Sequence, residues 1–439
     1  MNMSDSERVR TIIETQTGYQ WTDNEDEANL VGILACSVRQ KAIDKVYSRI
    51  QKWNRWKDKK SLVTFISGCI LPSDMEKFLK LFDIVFRMSE LEKLPEMIRQ
   101  YGVVTPASLF NDLNNMPGNE SIDNFWKVTP QYNSDFEAFV PIQNGCDKFC
   151  TFCAVPYTRG REVSRPSDEI IGEIKKLVDR GYKSITLLGQ NVNSYGLDKK
   201  GKEISFPKLL RSIGELGNKM DTDFWVYFTS PHPRDMTDEV IEVIAQYNCL
   251  AKQIHIPIQS GDDKVLKRMN RKHTVEQYRH IIHTIWRLLP QATIFTDVIV
   301  GFTGETDEQF ENTRKIMDEF KYNMAYIAQY SVRPGAISSR WADDVPREVK
   351  STRYHKLSNH LRKHTAVHNK ALVGKNLQVL VTGNARKQGY LSALTEGKIV
   401  CRFESVNNNL IGKFVDLKII SSTDFSVEGE MINVEVISG

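Results

Sequence analysis

The sequence of 439 residues lacks the features that would set it apart from ordinary globular proteins. No uninterrupted apolar stretch approaches the roughly 20 residues that a membrane helix needs, and the N-terminus holds no apolar run of the kind found in secretory signals. We therefore expect a cytoplasmic protein without a membrane span. Cysteine is scarce, and its seven copies make an odd number, which disfavours a framework of disulfide bonds. Metal binding or catalysis therefore explains these cysteines better than disulfide bonding does.

Acidic residues are missing from one long stretch. The formal net charge of +4 is too small to identify a partner, but residues 351–390 contain eight lysines and arginines and neither aspartate nor glutamate. A polyanion such as RNA would be attracted to this region. The alternative interpretation is a basic helix that is only a solvated face.

Hydrophobic periodicity and length predict three domains. Residues 1–115 alternate strand-like runs with helical stretches, which is an α/β pattern. The strand-like runs span 30–34 and 62–66, and the helical stretches span 6–17 and 37–53. A polar stretch at 111–134 then reads as a linker.

Residues 132–370 contain six short apolar runs that alternate with amphipathic helices. These runs span 138–142, 184–188, 224–228, 253–258, 293–300 and 325–330. Strands joined by helical crossovers lie parallel, and ligands gather at their carboxyl ends. The pattern therefore predicts a partial (β/α)6 barrel with its site at that end.

The last domain, residues 371–437, follows a charged helix predicted at 347–372. Turn residues separate its short apolar runs, as is typical of a small β-barrel. These runs span 377–382, 398–403, 414–420 and 431–436.

Three cysteines follow the first strand of the central domain in the spacing C-x3-C-x2-C, namely Cys146, Cys150 and Cys153. An iron–sulfur cubane held by three thiolates keeps one iron open to a small molecule, which a closed four-cysteine site does not. The alternatives are a zinc site completed by a fourth residue and three unrelated buried cysteines. Zinc sites usually combine one close cysteine pair with a second pair, and none follows here.

The stretch from Gly145 to Gly160 resembles the cysteine loop of the radical S-adenosylmethionine methylthiotransferases. Further motifs of this family occur at residues 36–42, 188–196, 229–234, 255–261 and 300–305. They extend over nearly the whole chain and are most similar to the branch that methylthiolates N6-dimethylallyladenosine at position 37 of tRNA. The resemblance implies an α/β methylthiotransferase domain, a radical S-adenosylmethionine core and a TRAM-like RNA-binding barrel. It also implies that the partner is a tRNA anticodon stem-loop.

In this family the open iron binds the amino and carboxylate groups of S-adenosylmethionine. An electron from a donor such as flavodoxin or ferredoxin then splits the sulfonium. Polar residues at strand ends should surround the nucleoside. The candidates are Gln190, Asn191, Thr229, Ser230, Gln259, Gly301, Gly304 and Glu305. The two glycines are expected to allow close approach of the adenine, and a monomer is expected.

The resemblance further implies a second, auxiliary 4Fe-4S cluster on three cysteines of the N-terminal domain. Cys36 and Cys69 match two of them. The first matching cysteine, with the strand that leads into it, has no counterpart ahead of Met1. We expect a translation start upstream of Met1 rather than a lost strand, because a missing buried strand leaves unpaired backbone groups at about 1 kcal/mol or more each.

Rival functions stay open at this point. Within the family they are methylthiolation of threonylcarbamoyl-adenosine in tRNA and of an aspartate in a ribosomal protein. Outside it they are a zinc-bearing RNA-binding module and a degenerate protein that cleaves S-adenosylmethionine without inserting sulfur.

Overall fold

The computed structural model describes residues 1–36, 40–101 and 122–432. The N-terminal elements, in chain order, are α1 (Asn2–Gln16), β1 (Leu30–Cys36), α2 (Gln40–Lys57), β2 (Val63–Cys69), α3 (Pro72–Leu79), β3 (Ile84–Val85) and α4 (Leu94–Arg99). The three strands form a parallel sheet in the order β1-β2-β3. Both predicted strands are present and extend further than predicted, so that each ends on a cysteine.

Side chains of β2 point alternately to the two faces of the sheet, and helices cover both faces, so β2 is buried on both sides. Ile66 packs into a core with α2 and α3, whereas Phe65 packs into a core with α1. Gly32 of β1 makes room for the ring of Phe65, since a Cβ at that position would overlap the ring. Sequence and packing therefore agree on a sheet sandwiched between helices.

Within the described residues, no strand pairs with the outer edge of β1. The side-chain amide of Asn2 donates there to the carbonyls of Leu34 and Ala35, at 2.9 and 3.0 Å. A cavity of about 870 Å³ lies between this edge and α1, and Val9 and Leu30 are among its lining residues.

The central elements alternate between strands and helices. In chain order they are α5 (Ile122–Lys127), β4 (Glu137–Pro141), β5 (Gln143–Asn144), α6 (Val155–Arg159), β6 (Val163–Ser164), α7 (Ser167–Asp179), β7 (Ser184–Leu188), α8 (Phe206–Gly217), β8 (Trp225–Phe228), α9 (Asp238–Gln246), β9 (Gln253–His255), α10 (Asp263–Arg268), α11 (Val275–Leu288), β10 (Thr293–Val300), α12 (Asp307–Phe320), β11 (Met324–Gln329) and α13 (Arg347–Lys370). All six predicted strands are present. Of the predicted linker at 111–134, the part up to residue 121 lies outside the described residues, and α5 occupies part of the rest.

Six parallel strands form an open barrel. The sheets β4-β7-β8 and β9-β10-β11 are each parallel, and a parallel bridge between Val226 and Leu250 joins β8 to the segment that leads into β9. Alternate residues face opposite sides of each strand. Val298 and Val300 of β10 point outward into the core that the surrounding helices cover. Asp297, at an alternate position of the same strand, therefore faces the lumen of the barrel.

The C-terminal domain is a closed five-stranded barrel. Its strands are β12 (Asn376–Asn384), β13 (Tyr390–Thr395), β14 (Val400–Glu404), β15 (Phe414–Ser422) and β16 (Ser426–Met431), paired in the order β12-β13-β14-β16-β15. Of the predicted strand at 431–436, β16 includes only Met431, and the rest stays a prediction because residues 433–439 lie outside the described residues. Val427 and Gly429 of β16 face inward, and their neighbours along the strand are polar. Because the apolar signal is so weak, the sequence did not predict this strand.

This small barrel covers the amino ends of the central strands. The rings of Phe414 and Trp225 pack edge to face with their centroids 4.6 Å apart. The hydroxyl of Tyr227 donates to the carbonyl of Glu396 at 3.0 Å, and the hydroxyl of Thr293 donates to that of Gly397 at 2.8 Å. The opposite, carboxyl ends of the strands remain uncovered by it. Among the described helices, none combines the length and the apolar composition that crossing a bilayer requires.

Candidate active site

The three cysteines of the central domain lie on a loop at the carboxyl ends of the parallel strands. The start of the loop is closed by a hydrogen bond from the amide of Cys146 to the carbonyl of Gly160, at 3.2 Å. Gly145 has a φ of +79°, and a Cβ there would overlap the carbonyl oxygen of Arg161. Glycine is therefore required where the chain enters the loop.

The middle of the loop is held by α10 and by an aromatic contact. Thr151 donates from its amide to the carbonyl of Met269 at 3.0 Å and from its hydroxyl to that of Arg268 at 2.8 Å. The ring of Phe152 packs edge-on against Phe302, with centroids 6.4 Å apart. Such support fixes the position of the neighbouring thiols, which a metal centre requires.

The thiols are buried beside cations. Burial raises the pKa values of Cys146 and Cys153 to about 12. The guanidinium of Arg271 donates to the Sγ of Cys150 at 3.5 Å, and the buried Lys148 lies within the loop itself. Metal ligation requires thiolates, and the Arg271 guanidinium offsets part of the negative charge that thiolates bring into a buried site.

The donor set fits a cluster better than a single ion. Among the described residues, no three histidine, cysteine, aspartate or glutamate side chains converge on a point that would hold one metal ion. A mononuclear zinc site needs all of its ligands around one point, at about 2.0–2.3 Å. A cubane instead takes each thiolate on a separate iron, so the three thiols need not converge.

Two of the predicted nucleoside residues present unpaired oxygens at the end of β7. The side-chain oxygens of Gln190 and Asn191 are buried and have no hydrogen-bonding partner within the described residues. The Asn191 amide donates to Asp235 at 3.2 Å, and the same carboxylate forms an ion pair with Lys148 at 2.5 Å. A buried polar atom without a partner costs about 1–3 kcal/mol, so a polar ligand in this position would be stabilised.

Three further candidates lie at the ends of β8 and β9. Thr229 donates from its amide to the carbonyl of Leu187 at 3.2 Å. Ser230 and Gln259 have φ values of +57° and +71°, which residues other than glycine rarely adopt. Because β7, β8 and β9 are neighbours, the structure brings these five candidates to one edge beside the cysteine loop.

Gly301 and Gly304 follow β10 in left-handed conformations, with φ values of +69° and +72°. A Cβ at Gly301 would overlap the stem of Lys350, and a Cβ at Gly304 would lie 2.7 Å from the guanidinium of Arg268. The close approach of an adenine to these glycines stays a prediction, and in the structure each glycine makes room for a cation of the protein. That role depends on contacts with distant helices and carries no local signal.

Glu305 has protein partners on two sides. Its buried carboxylate accepts from the amide of Gly301 at 2.6 Å and from the guanidinium of Arg353 at 2.8 Å. Arg353, on α13, was expected among the surface cations of the acid-free stretch, and the structure buries it instead. Glu305 therefore connects the end of β10 to α13.

Replacing Gly301 with alanine is expected to lower the free energy of unfolding by about 1–3 kcal/mol, because the left-handed backbone is strained for alanine and Lys350 must move. Gly172→Ala is the matched control. Gly172 lies in α7, has no atom within 4 Å of an added Cβ, and should gain up to about 1 kcal/mol from the better helix former. Chemical unfolding of both variants measures the difference, and equal stabilities would contradict strain at Gly301.

Two histidines near the loop were not predicted. The Nδ1 of His232 accepts from the amide of Arg234 at 3.1 Å, and its ring packs edge-on against His273 with centroids 5.7 Å apart. Burial lowers the pKa of His232 far below its usual value and that of His273 to about 4. Both are therefore neutral beside Arg271. His232 lies inside the 229–234 motif, which was the available signal.

Glu162 was also missed. Burial raises its pKa to about 7, so it holds a proton for part of the time near neutrality. It accepts hydrogen bonds from the hydroxyl of Ser194 and from the amide of Asp147, the latter at 3.3 Å. Gln143 donates in turn to Ser194 at 3.0 Å. This network joins the cysteine loop to the turn after β7.

The two N-terminal cysteines face the central loop. Cys36 and Cys69 lie opposite each other at the ends of neighbouring strands. Arg159 of α6, directly after the cysteine loop, donates from Nε to the Sγ of Cys69 at 2.9 Å and forms an ion pair with Asp5 at 2.6 Å. The carboxyl ends of the two sheets, each with its own cysteines, therefore meet at this arginine.

An open parallel barrel with a three-cysteine loop at its carboxyl end defines the radical S-adenosylmethionine enzymes. Sequence profiles agree, since the radical SAM superfamily matches residues 140–317, the uncharacterized protein family UPF0004 matches 1–87, and the TRAM domain matches 370–432. The fold is similar to a radical S-adenosylmethionine methyltransferase from Kitasatospora setae, solved with tryptophan and an S-adenosylmethionine analogue. That likeness covers 92% of this chain and 78% of the other, with a TM-score of 0.58 and 12% identity, and concerns the fold alone.

The chain belongs to the family of tRNA-2-methylthio-N(6)-dimethylallyladenosine synthases. The relative with that name from Photorhabdus laumondii is 36% identical over 442 residues, which cover 99% of this chain and 90% of the relative. The one from Clostridium botulinum is 37% identical over 441 residues, which cover 98% and 93%. Membership implies S-adenosylmethionine and a 4Fe-4S cluster as cofactors.

Proposed function

We propose that this protein methylthiolates N6-dimethylallyladenosine at position 37 of tRNA and so forms the 2-methylthio derivative. The observation that carries the proposal is the anchored loop of Cys146, Cys150 and Cys153 at the carboxyl ends of the barrel strands, facing the second cysteine pair. The names of the full-length relatives support the same substrate.

The three thiolates of this loop hold the first 4Fe-4S cluster. With S-adenosylmethionine on its open iron, such a cluster supplies the one-electron chemistry that a strong, non-acidic adenine C–H bond requires. Gln190, Asn191, Thr229, Ser230 and Gln259 position the nucleoside part. Lys148 and Asp235 orient the Asn191 amide through the contacts described above, and the buried walls exclude water. Gly301, Gly304 and Glu305 support the end of β10.

Cys36 and Cys69 serve as ligands of the auxiliary 4Fe-4S cluster, which provides sulfur for transfer. Their position supports this role, because two thiols at the ends of paired strands face the first cluster's loop across Arg159. Burial raises the pKa of the Cys69 thiol, and the Arg159 guanidinium beside its Sγ opposes this rise in favour of the thiolate that an iron ligand must be.

The anticodon stem-loop binds along α13 and the TRAM barrel. One end of α13 contacts the site through Arg353, and at its other end Asn369 donates to the barrel carbonyls of Thr423 and Asp424, at 3.0 and 3.1 Å. Exposed cations follow this path, namely Arg362, Lys363, Lys370, Lys375, Arg386 and Lys387. We divide the chain into three domains at residues 1–115, 132–370 and 371–437. The electron that reduces the first cluster comes from flavodoxin or ferredoxin.

Reversing two of these charges in Lys363→Glu/Lys370→Glu is expected to weaken binding of the stem-loop about tenfold at low salt, because phosphate contacts are lost. The slope of log K against log salt should fall by about two. The matched control is Lys176→Glu/Lys208→Glu on α7 and α8, where both side chains are exposed away from α13. Fluorescence anisotropy at several salt concentrations measures both, and equal losses in the two variants would contradict the path.

Nucleoside analysis tests the substrate. A strain that lacks the gene should accumulate N6-dimethylallyladenosine in its tRNA, and this chain should restore the 2-methylthio derivative. Restoration of methylthiolated threonylcarbamoyl-adenosine, or of the modified ribosomal aspartate, would overturn the proposed substrate in favour of that rival.

A further inference from the structure

Three side chains of chemically useful types share the lumen face of neighbouring strands β9, β10 and β11. The Nε2 of His255 lies 2.8 Å from the Oδ2 of Asp297. Tyr326 is the register partner of Asp297, and its ring lies 5.6 Å from the His255 ring between centroids. Neither the cysteine loop nor the S-adenosylmethionine residues include this cluster.

The cluster is accessible from the lumen. Tyr326 is 52% exposed although it lies in a strand of the barrel, and Ala328, next on the same face, is also exposed. The side chains of Asp297 and His255 are 32% and 22% exposed. β11 is the last strand of the open barrel, and no further strand among the described residues pairs with its outer edge.

The cluster lies one layer below the cysteine loop. Ile299, two residues beyond Asp297 on the same face of β10, packs against the same apolar cluster around Phe302 as Phe152 of that loop. Two residues of β-strand span about 7 Å. Towards the other end the lumen is filled, since the amino group of Lys398 lies over the ring of the buried Tyr227, 4.2 Å from its centroid. A ligand inserted from the carboxyl side therefore meets the cluster directly beneath the loop.

We propose that Tyr326, Asp297 and His255 form the binding site of the substrate adenine, an inference that rests on the proposed function. The base stacks on Tyr326, as unstacked bases do on aromatic side chains. Asp297 accepts the hydrogen bond of the exocyclic N6–H. His255, with its proton on Nε2, donates to Asp297 and orients that carboxylate.

This arrangement reads a secondary amine. An N6-monoalkylated adenine keeps one N6–H for the carboxylate, whereas an N6,N6-dialkylated adenine has none, and guanine places the acceptor O6 against Asp297. Once the bound base covers Asp297, an acceptor left without its donor discriminates strongly between such bases. Holding the base by its N6 group also directs C2 away from Asp297, towards the cysteine loop.

The phenol of Tyr326 stays neutral throughout the working range. Burial and the nearby Asp297 carboxylate raise its pKa above the usual value. Its stacking face therefore carries no charge that would depend on pH.

The test compares two synthetic anticodon stem-loops, one with N6-dimethylallyladenosine and one with N6,N6-dimethyladenosine, on the reconstituted full-length enzyme. The wild type should prefer the monoalkylated base at least tenfold in kcat/KM, and Asp297→Asn should reduce this preference to within about twofold. Asp238→Asn is the matched control, because Asp238 pairs with His280 on the outside of the barrel at 3.1 Å. It should keep the full preference.

Tyr326 supplies a second, independent readout. Tyr326→Ala should raise KM for the stem-loop about tenfold and raise the 5′-deoxyadenosine released per methylthiolated product, and Tyr326→Phe, which keeps the stacking ring, should recover most of both losses. An exposed side chain tolerates these changes without loss of the fold. Unaltered preference in Asp297→Asn, or unaltered coupling in Tyr326→Ala, overturns the inference while the proposed function stands. A wild type that modifies neither stem-loop overturns both.

Discussion

Cys150→Ala is expected to lose about four irons per chain and to release no 5′-deoxyadenosine, because only two thiolates of the loop remain to hold a cubane. The loss should be nearly complete, since the backbone directly after Cys150 is held in place by Thr151 and cannot bring another ligand forward. Iron and sulfide counting under anaerobic conditions, together with chromatography of the reaction products, measures both effects.

Cys249→Ala is the control for this variant. Cys249 packs beside Gly217 of α8, and its Sγ lies 3.9 Å from the carbonyl oxygen of Ile213 on the same helix. Neither contact involves the cysteine loop. It should keep the full iron content and activity. If Cys150→Ala keeps its iron and still cleaves S-adenosylmethionine, the cluster is not held by this loop.

Arg159→Met is expected to lower the free energy of local unfolding of α1 by about 3–5 kcal/mol, because it leaves Asp5 as a buried charge without its partner. The side chains of Arg159 and Asp5 are 6% and 0% exposed, and Arg159 is also the contact between the cysteine loop and Cys69. Hydrogen exchange of the α1 amides measures the change directly.

The double variant Arg159→Met/Asp5→Asn should recover part of this loss, since it removes the uncompensated charge as well. Lys175→Met breaks the exposed pair with Asp179 and should cost less than about 1 kcal/mol. An Arg159→Met variant whose α1 protection matches that of Lys175→Met would contradict a structural link between the two cysteine regions.

Much of the fold was predictable because its signal is local. The six barrel strands lie in largely apolar runs, as buried parallel strands require, and these runs together with the family resemblance placed the candidates at the strand ends. The cysteine loop carries its meaning in its spacing alone. The strand β16 was not predicted because its inward residues include Val427 and Gly429, which give it little apolar content.

The features that could not be predicted from the sequence depend on contacts between residues far apart in the chain. Lys350 fills the space at Gly301, Arg159 meets Cys69, and His255 meets Asp297, and each pair is separated by more than forty residues in the chain. Neither periodicity nor spacing carries such contacts. The docking of the TRAM barrel on the amino ends of the strands was likewise unpredictable, since Phe414 and Trp225 look like ordinary core residues.

The central claim is that three thiolates hold a cluster whose open iron binds and reduces S-adenosylmethionine. The most direct measurement is the yield of 5′-deoxyadenosine from anaerobically reconstituted protein treated with S-adenosylmethionine and a strong reductant. We predict stoichiometric or greater release from the wild type. Iron-loaded protein that releases no 5′-deoxyadenosine under these conditions would contradict the account.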